Sequence, residues 1–262
     1  MHRSQDRGSL GEPGGGIGAP ATPLTRRERR RSLAAQTQTP EAAPAPATRS
    51  PLSLLFDPAP AEASDEVGAL SLLTVCTGNI CRSPLAEVML RVALDERSVI
   101  VASAGTHALV GHEMTAQARS LAVAGGAREY DASSHRARLL TERMLLDTDL
   151  VLTMTREHRA FAVQLAPSRL HRVFPVREFA RLAASMTDDE VRRAADAGTT
   201  VRSRVRSAVT ALSHRRGLAG VASADDDVID PYRRSTEVYE QSARELFPAL
   251  EQVERVVRVA SS

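Results

Sequence analysis

The stretch that most constrains the fold is 70–84, where an apolar run leads directly into a Cys-x5-Arg-Ser-Pro segment. The run Leu70–Val75 is short and rich in leucine and valine, which is typical of a buried parallel strand. Pro84 suits the first position of a helix, and Ser83 suits the capping position before it. The stretch therefore predicts a strand, a tight loop and a helix start in immediate succession.

The loop between this strand and this helix has the composition of an anion site. Backbone N–H groups at a helix N-terminus bind anions, and the same positive environment favours a cysteine thiolate. Arg82 can hold two phosphate oxygens in a bidentate fork while Cys76 attacks phosphorus. The segment predicts a cysteine-dependent phosphatase. Its predicted phosphate-binding residues are Thr77, Gly78, Asn79, Ile80, Cys81, Arg82 and Ser83.

Further apolar runs follow at intervals that leave room for helices. They lie at Val99–Ala102, Leu150–Met154 and Arg172–Val176, and amphipathic stretches separate them. Alternation of this kind is typical of α/β proteins with helices on both faces of a sheet. We expect a three-layer sandwich with a four-stranded parallel sheet and the phosphate-binding loop after the first strand, where open α/β sheets bind ligands.

Composition divides the chain into two zones. Residues 1–67 are rich in Pro, Ala, Gly and Arg and hold nine of the fourteen prolines. Such a segment buries too little apolar surface to offset its ordering entropy, so we predict a disordered tail. Residues 68–262 are predicted to form the catalytic domain.

The region at about 181–222 interrupts the strand–helix rhythm and is predicted to be a helical insertion. Thr187 and Glu190 have the spacing of a capping box. A second helical stripe is formed by Val201, Val205, Val209 and Leu212. We expect the other face of that helix to be solvated. It carries Arg202, Arg204, Arg206, Arg215 and Arg216.

Overall composition excludes several classes of protein. The chain has no lysine, which rules out a lysine Schiff base and the lysine-dependent nucleotide loop. Its 34 basic and 32 acidic residues nearly balance, so a nucleic-acid partner is not expected. Two cysteines offer neither a disulfide framework nor a zinc site, and no metal or cofactor is expected. No apolar stretch has the length of a membrane span, so we expect a soluble cytoplasmic protein without a membrane partner.

Several motifs in order resemble the low-molecular-weight protein tyrosine phosphatases, in particular the bacterial type. The resemblance covers about residues 70–262 apart from 181–222. The motifs that carry it are Val75–Pro84, Ser103–Thr106, His135–Arg138, Asp149–Met154 and Asp230–Tyr232.

The resemblance implies hydrolysis of phosphotyrosine in proteins through a phosphocysteine intermediate on Cys76. Arg82 would stabilise the transition state, and Asp230 would act as general acid and then as general base. The residues alone leave the neighbouring aspartates as alternative acids, namely Asp225, Asp226 and Asp227. A polar network is implied around the loop, formed by Asn79, Ser83, Ser103 and His135.

Specificity is expected from an apolar wall of Ile80 and Leu109, with Tyr232 flanking an aromatic substrate. Protein-arginine phosphatases resemble this loop but carry Thr at the position of Ile80, so they remain an alternative. Leu109 is similar to the residue in bacterial members that act on autophosphorylated tyrosine kinases. Phosphotyrosine proteins, including such a kinase, are therefore the expected partners.

Other functions compatible with the loop are disfavoured by the sequence. Thioredoxin-coupled arsenate reduction needs further cysteines, and none follows Cys81. A non-catalytic phosphoprotein-binding module is the remaining alternative, although Cys76, Arg82 and Asp230 are all intact. The family resemblance also implies a redox pairing of Cys76 with Cys81 that protects the nucleophile.

Overall fold

The computed structural model describes residues 68–216 and 224–262. The predicted disordered tail 1–67 lies outside the described residues, as do residues 217–222 of the predicted insertion. The strands are β1 (Leu70–Cys76), β2 (Val99–Gly105), β3 (Leu150–Thr153) and β4 (Val173–Pro175).

Helices connect and follow these strands in the described part of the chain. They are α1 (Arg82–Ala93), α2 (Ala116–Ala124), α3 (Glu129–Ser133), α4 (Glu142–Leu146), α5 (Arg156–Leu165), α6 (Val176–Ala184), α7 (Asp188–Ala195), α8 (Val201–Arg215) and α9 (Thr236–Ser261). Two 3-10 turns lie at Pro167–Arg172 and Ala224–Asp226.

The strands form one parallel sheet in the order β2-β1-β3-β4. Strand β1 is central, and Val75 near its end pairs with Ala104 on one side and Thr153 on the other. The carboxyl ends of three strands therefore meet where β1 runs into the loop at Cys76. This position matches the rule for ligand sites in open α/β sheets.

Both faces of the sheet are covered by helices. On β1, Leu70 and Leu72 belong to one apolar core, whereas Leu73 and Val75 belong to the other. Helices α1, α6, α8 and α9 contribute to the first core, and α4 and α5 contribute to the second. Alternate side chains of a strand point to opposite faces, so two cores mean three layers. The predicted α/β sandwich is confirmed.

The start of α1 differs from the sequence-based expectation. The helix begins at Arg82 with Cys81 at the N-cap, so the prediction that Ser83 caps the helix is wrong. The hydroxyl of Ser83 instead lies 3.0 Å from Cys76 Sγ. Ser83 is therefore the second residue of the helix, and its hydroxyl contacts the cysteine instead of capping the helix.

The segment after α6 forms helices α7 and α8, and Thr187 caps α7 in a capping box with Glu190. Val205, Val209 and Leu212 of α8 are buried in the first core. The interpretation of this segment as an insertion stays a prediction.

The arginines of α8 are not the solvated face that we expected. Each one pairs with an acidic side chain of the same domain, since long guanidinium groups reach back over the apolar surface that the helix covers. The pairs are Arg202–Asp149, Arg204–Asp196, Arg206–Asp149, Arg215–Glu190 and Arg216–Glu178. Arg216 also lies 4.0 Å above the ring of Phe174.

In the part of the chain that the structure describes, no helix combines the length and apolarity required to cross a bilayer.

Candidate active site

The loop after β1 is held in place by hydrogen bonds that its outward-facing carbonyls accept from neighbouring segments. The carbonyls of Cys76, Thr77 and Gly78 accept from backbone N–H groups of residues 106, 107 and 109 at 2.9–3.0 Å. The carbonyls of Asn79 and Ile80 accept from His135 Nε2 at 2.8 Å and from a backbone N–H at 2.9 Å. The C=O and N–H of a trans peptide point in opposite directions, so the N–H groups of this loop converge inward. Such a concave set of N–H groups is an anion site.

Two positions allow the chain to curl this tightly. Asn79 has φ +56°, in the left-handed region that Asn tolerates better than most residues. Gly105 at the end of β2 lies under the loop, and a Cβ there would be only 2.4 Å from the carbonyl oxygen of Thr77. Gly105 is therefore required for the close approach of the two segments.

Cys76 lies buried at the bottom of the loop. Its Sγ is 3.3 Å from the backbone N of Asn79, which donates to it, and 3.0 Å from Ser83 Oγ. Both groups can donate to a thiolate, so the sulfur has its charge-stabilising partners already in place.

A chain of polar side chains fixes the direction of the Ser83 hydrogen bond. The Glu87 carboxylate only accepts, so Ser103 donates to Glu87 and its oxygen accepts from Asn79 Nδ2 at 2.8 Å. Asn79 Nδ2 also donates to Ser83 Oγ at 2.9 Å, while Asn79 Oδ1 accepts from the backbone N of Arg138. The proton of Ser83 then has two acceptors within reach, Cys76 Sγ at 3.0 Å and the carbonyl of Ala104 at 3.4 Å, and the shorter contact is the one to the sulfur.

Glu87 is the buried charge at the far end of this chain. Burial by itself raises the pKa of Glu87, but His135, Arg91 and the Ser103 hydroxyl together hold it below its usual value. His135 Nδ1 lies 3.6 Å from Glu87 Oε2. The structure thus brings Asn79, Ser83, Ser103 and His135 together around an ionised carboxylate.

Arg82 is buried and uses two of its three nitrogens. Nη1 donates to the carbonyl of Val228 at 3.0 Å, and Nη2 lies 3.0 Å from Asp230 Oδ2. Nε has no partner although it is buried; among residues 68–216 and 224–262 it shares this condition only with the Nε of Arg169. A buried donor without an acceptor is costly, which indicates that an anion completes the site.

The candidate acids differ in what they contact. The Asp226 carboxylate is buried against Arg181, and the Asp227 carboxylate is bound by Arg156. Asp230 is 54% exposed, lines the cavity and accepts from the backbone N of Tyr232 at 3.2 Å. The geometry favours Asp230 as the proton donor.

The cavity above the loop has a volume of about 160 Å³. Ile80, Leu109 and Tyr232 all line it, together with His107. The imidazole of His107 lies 5.8 Å from the ring of Phe161, which orients it at the rim. No group of His, Cys, Asp and Glu side chains in the described ranges is arranged to hold a metal ion.

Cys81 is a free buried thiol at the end of the loop, where α1 begins, and it also borders the cavity. Its Sγ lies 3.5 Å from the hydroxyl of Tyr239 and 3.6 Å from that of Thr115. Burial raises the pKa of Cys81 above its usual value, even though both hydroxyls act to lower it.

His158 is buried next to the loop, between two threonine hydroxyls. Nε2 lies 2.9 Å from Thr77 Oγ1, and Nδ1 lies 2.9 Å from Thr155 Oγ1. Burial, with the nearby charge of Arg82, lowers the pKa of His158 to about 4. The ring is therefore neutral at physiological pH.

Comparison with known families gives a match that includes the loop and all four strands and ends before Asp230. The model of the low molecular weight phosphotyrosine protein phosphatase family matches residues 71–215. The chain belongs to this family.

Individual members of the phosphatase family are also similar to the chain. The low molecular weight protein-tyrosine-phosphatase Etp of Escherichia coli K12 is 44% identical over 97 residues, which are 37% of this chain and 62% of Etp. The crystal structure of the tyrosine phosphatase AmsI of Erwinia amylovora is 25% identical, with a TM-score of 0.47, over 71% of this chain and 91% of that one. The YwlE arginine phosphatase of Geobacillus stearothermophilus is 23% identical, with a TM-score of 0.48, over 71% and 90% of the two chains.

Sequence reasoning assigned no site role to three residues of this phosphatase-family site: Glu87, His107 and His158. Glu87 had a detectable signal, because it is an acidic residue within the otherwise apolar run Leu85–Leu90 of α1, one turn after Ser83. His158 follows the third strand in a segment that already carried the resemblance. His107 had no signal beyond its place next to Thr106.

Proposed function

We propose that the protein hydrolyses phosphotyrosine in proteins through a phosphocysteine intermediate. The observation that carries the proposal is that Arg82 and Cys76 line the same cavity. The unpartnered Nε of Arg82 and the inward N–H groups of the loop form a site for a phosphate dianion next to the sulfur. Membership of the family and the relatives named as protein-tyrosine-phosphatases support the same activity.

In the first step, Cys76 Sγ attacks phosphorus as the bond between phosphorus and the tyrosine oxygen breaks. The Asp230 carboxyl gives its proton to that oxygen, so the leaving group departs as a neutral phenol. The N–H groups of the loop and Arg82 hold the equatorial oxygens of phosphorus throughout.

In the second step, the Asp230 carboxylate takes a proton from a water molecule whose oxygen attacks phosphorus. The S–P bond breaks, inorganic phosphate leaves, and the sulfur returns to a thiolate that accepts from Ser83. Asp230 ends protonated, ready for the next turnover.

The proposed substrates are phosphotyrosine proteins, with an autophosphorylating tyrosine kinase as one such partner. The cavity supports an aromatic substrate, because Ile80 and Leu109 give it an apolar wall and Tyr232 supplies a ring beside Asp230. Two free thiols at the site are suited to a reducing compartment, which supports a cytoplasmic location.

The test is turnover of para-nitrophenyl phosphate and of a phosphotyrosine peptide by the full chain and by Cys76→Ser. We expect the wild type to release phosphate and Cys76→Ser to lose turnover, because a serine hydroxyl provides almost no nucleophilic anion at neutral pH. Phosphate binding and thermal unfolding serve as controls for the fold of the variant. Binding without turnover by the wild type would indicate a phosphoprotein-binding module instead.

A further inference from the structure

The acidic run before Asp230 has no part in the proposed chemistry, yet the structure gives two of its members specific partners. Asp226 is buried, and its two carboxylate oxygens lie 3.2 and 3.1 Å from Nε and Nη2 of Arg181 on α6. A planar guanidinium matched to both oxygens of a carboxylate fixes distance and orientation at once.

Asp227 forms a second attachment at the start of α5. Its carboxylate accepts from the backbone N of Arg156 at 2.7 Å and from Nε and Nη2 of the same residue at 3.2 and 3.1 Å. Arg156 is the first residue of the helix, so the carboxylate also benefits from the positive end of the helix dipole.

The backbone between these attachments and Asp230 is held at successive residues. The carbonyl of Asp227 accepts from Arg177 at 2.9 Å, and the N–H of Val228 donates to the carbonyl of Met154 at 2.8 Å. The carbonyl of Val228 accepts from Arg82, and the N–H of Ile229 donates to Glu245 at 2.8 Å.

Asp230 itself lies at the exposed end of this anchored stretch, with its carboxylate at the cavity. A general acid must stay within hydrogen-bond reach of the leaving oxygen. An error of about 1 Å in such a position lowers the rate by about a hundredfold.

We propose that Asp226, through Arg181, and Asp227, through Arg156, are positioning residues that hold the general acid Asp230 over the phosphate site. This inference rests on the proposed phosphatase function and deepens it. The acidic run is thereby a loop anchor supplied by helices α5 and α6, not a reserve of alternative acids.

The experiment compares phenyl phosphate, whose leaving group needs protonation, with 2,4-dinitrophenyl phosphate, whose leaving group does not. Asp226→Asn and Asp227→Asn should lower the ratio of kcat/KM for phenyl phosphate to kcat/KM for 2,4-dinitrophenyl phosphate by about tenfold, because kcat/KM reports the first step, in which only the phenolate needs a proton. Inhibition by inorganic phosphate should change less than twofold. Asp189→Asn is the matched control, because the Asp189 side chain is 80% exposed and pairs with Arg192 on the same helix, α7.

A double-variant cycle separates positioning from a general weakening of the fold. In an Asp230→Asn background, adding Asp227→Asn should cause no further loss with phenyl phosphate, because there is no acid left to position. Removing Asp226 leaves Arg181 without its carboxylate partner and also weakens folding. The cycle therefore uses Asp227, which is partly exposed. Thermal unfolding is measured for every variant.

Two results would overturn the positioning role while leaving the phosphatase function intact. One is an unchanged ratio, with equal losses or none on the two esters, and the other is additive losses in the cycle. A wild type that hydrolyses neither ester overturns the proposed function and this inference with it. A lowered ratio that disappears in the Asp230→Asn background supports the positioning role.

Discussion

The carboxylate oxygen Oδ2 of Asp230 lies 3.0 Å from Nη2 of Arg82, so the proposed general acid and the proposed phosphate ligand are paired with each other. A phosphate dianion bound to Arg82 competes with Asp230 for the same guanidinium and repels its carboxylate.

Replacing Asp230 by Asn therefore has two opposite effects. We expect kcat for phenyl phosphate to fall by about two to four orders of magnitude, because the proton donor is lost. We expect inorganic phosphate to inhibit the variant at about threefold lower concentration, because a competing negative charge is gone. An unchanged rate with phenyl phosphate would contradict the assignment of the acid, and weaker phosphate inhibition would contradict the competition for Arg82.

Ile80 is expected to select an aromatic leaving group. Its side chain is buried and lines the cavity, which the more exposed Leu109 also lines. Ile80→Thr should raise kcat/KM for phosphoarginine relative to phosphotyrosine, because it removes apolar bulk beside the leaving group. Matched phosphoarginine and phosphotyrosine peptides provide the measurement, and Leu109→Thr tests the other wall. Equal discrimination by the wild type and Ile80→Thr would remove Ile80 from the determinants of specificity.

Cys81 is expected to protect Cys76 after oxidation. Peroxide converts an accessible thiolate to a sulfenic acid, which condenses with a nearby thiol to give a disulfide and water. After peroxide and then dithiothreitol, the wild type should recover most of its activity and Cys81→Ser much less. Because burial raises the pKa of Cys81, its thiolate and hence the disulfide should form faster as pH rises. Matching recovery of the two proteins would leave Cys81 with a packing role only.

His158 should make stability depend on pH. Its pKa is about 4 in the folded protein and about 6.5 when exposed, so the unfolded chain binds more protons between these values. The contribution of His158 to the free energy of unfolding is therefore complete above pH 6.5. It is lost as pH falls towards 4, and the total loss is about 3 kcal/mol. Urea unfolding of the wild type and His158→Gln at pH 5 and pH 7.5 measures the difference. The exposed His171, changed to Gln, is the control; a wild type and a His158 variant with the same pH dependence would contradict this assignment.

The sequence by itself determined the features that are local in the chain. The apolar runs around Leu72 and Val151 predicted parallel strands, because burial on both faces needs continuous apolar residues. The spacing from Cys76 to Arg82 predicted the anion loop, because strand, loop and helix start follow within fifteen residues. None of these predictions required knowledge of tertiary contacts.

Only the tertiary structure decided which charged groups act together. Glu87 meets Ser103 and His135 across the sheet edge, and Arg82 reaches Val228, which is 146 positions away in sequence. The sequence predicted a solvated face for the arginines of α8, because a helical stripe shows which face of a helix is apolar. It does not show which acidic side chains of other elements pair with the polar face. Likewise, four aspartates within six residues have the same local chemistry. The roles of three of them separate only when Arg181, Arg156 and Arg82, from three distant elements, each bind a different one, since Coulomb attraction depends on distance in space and not along the chain.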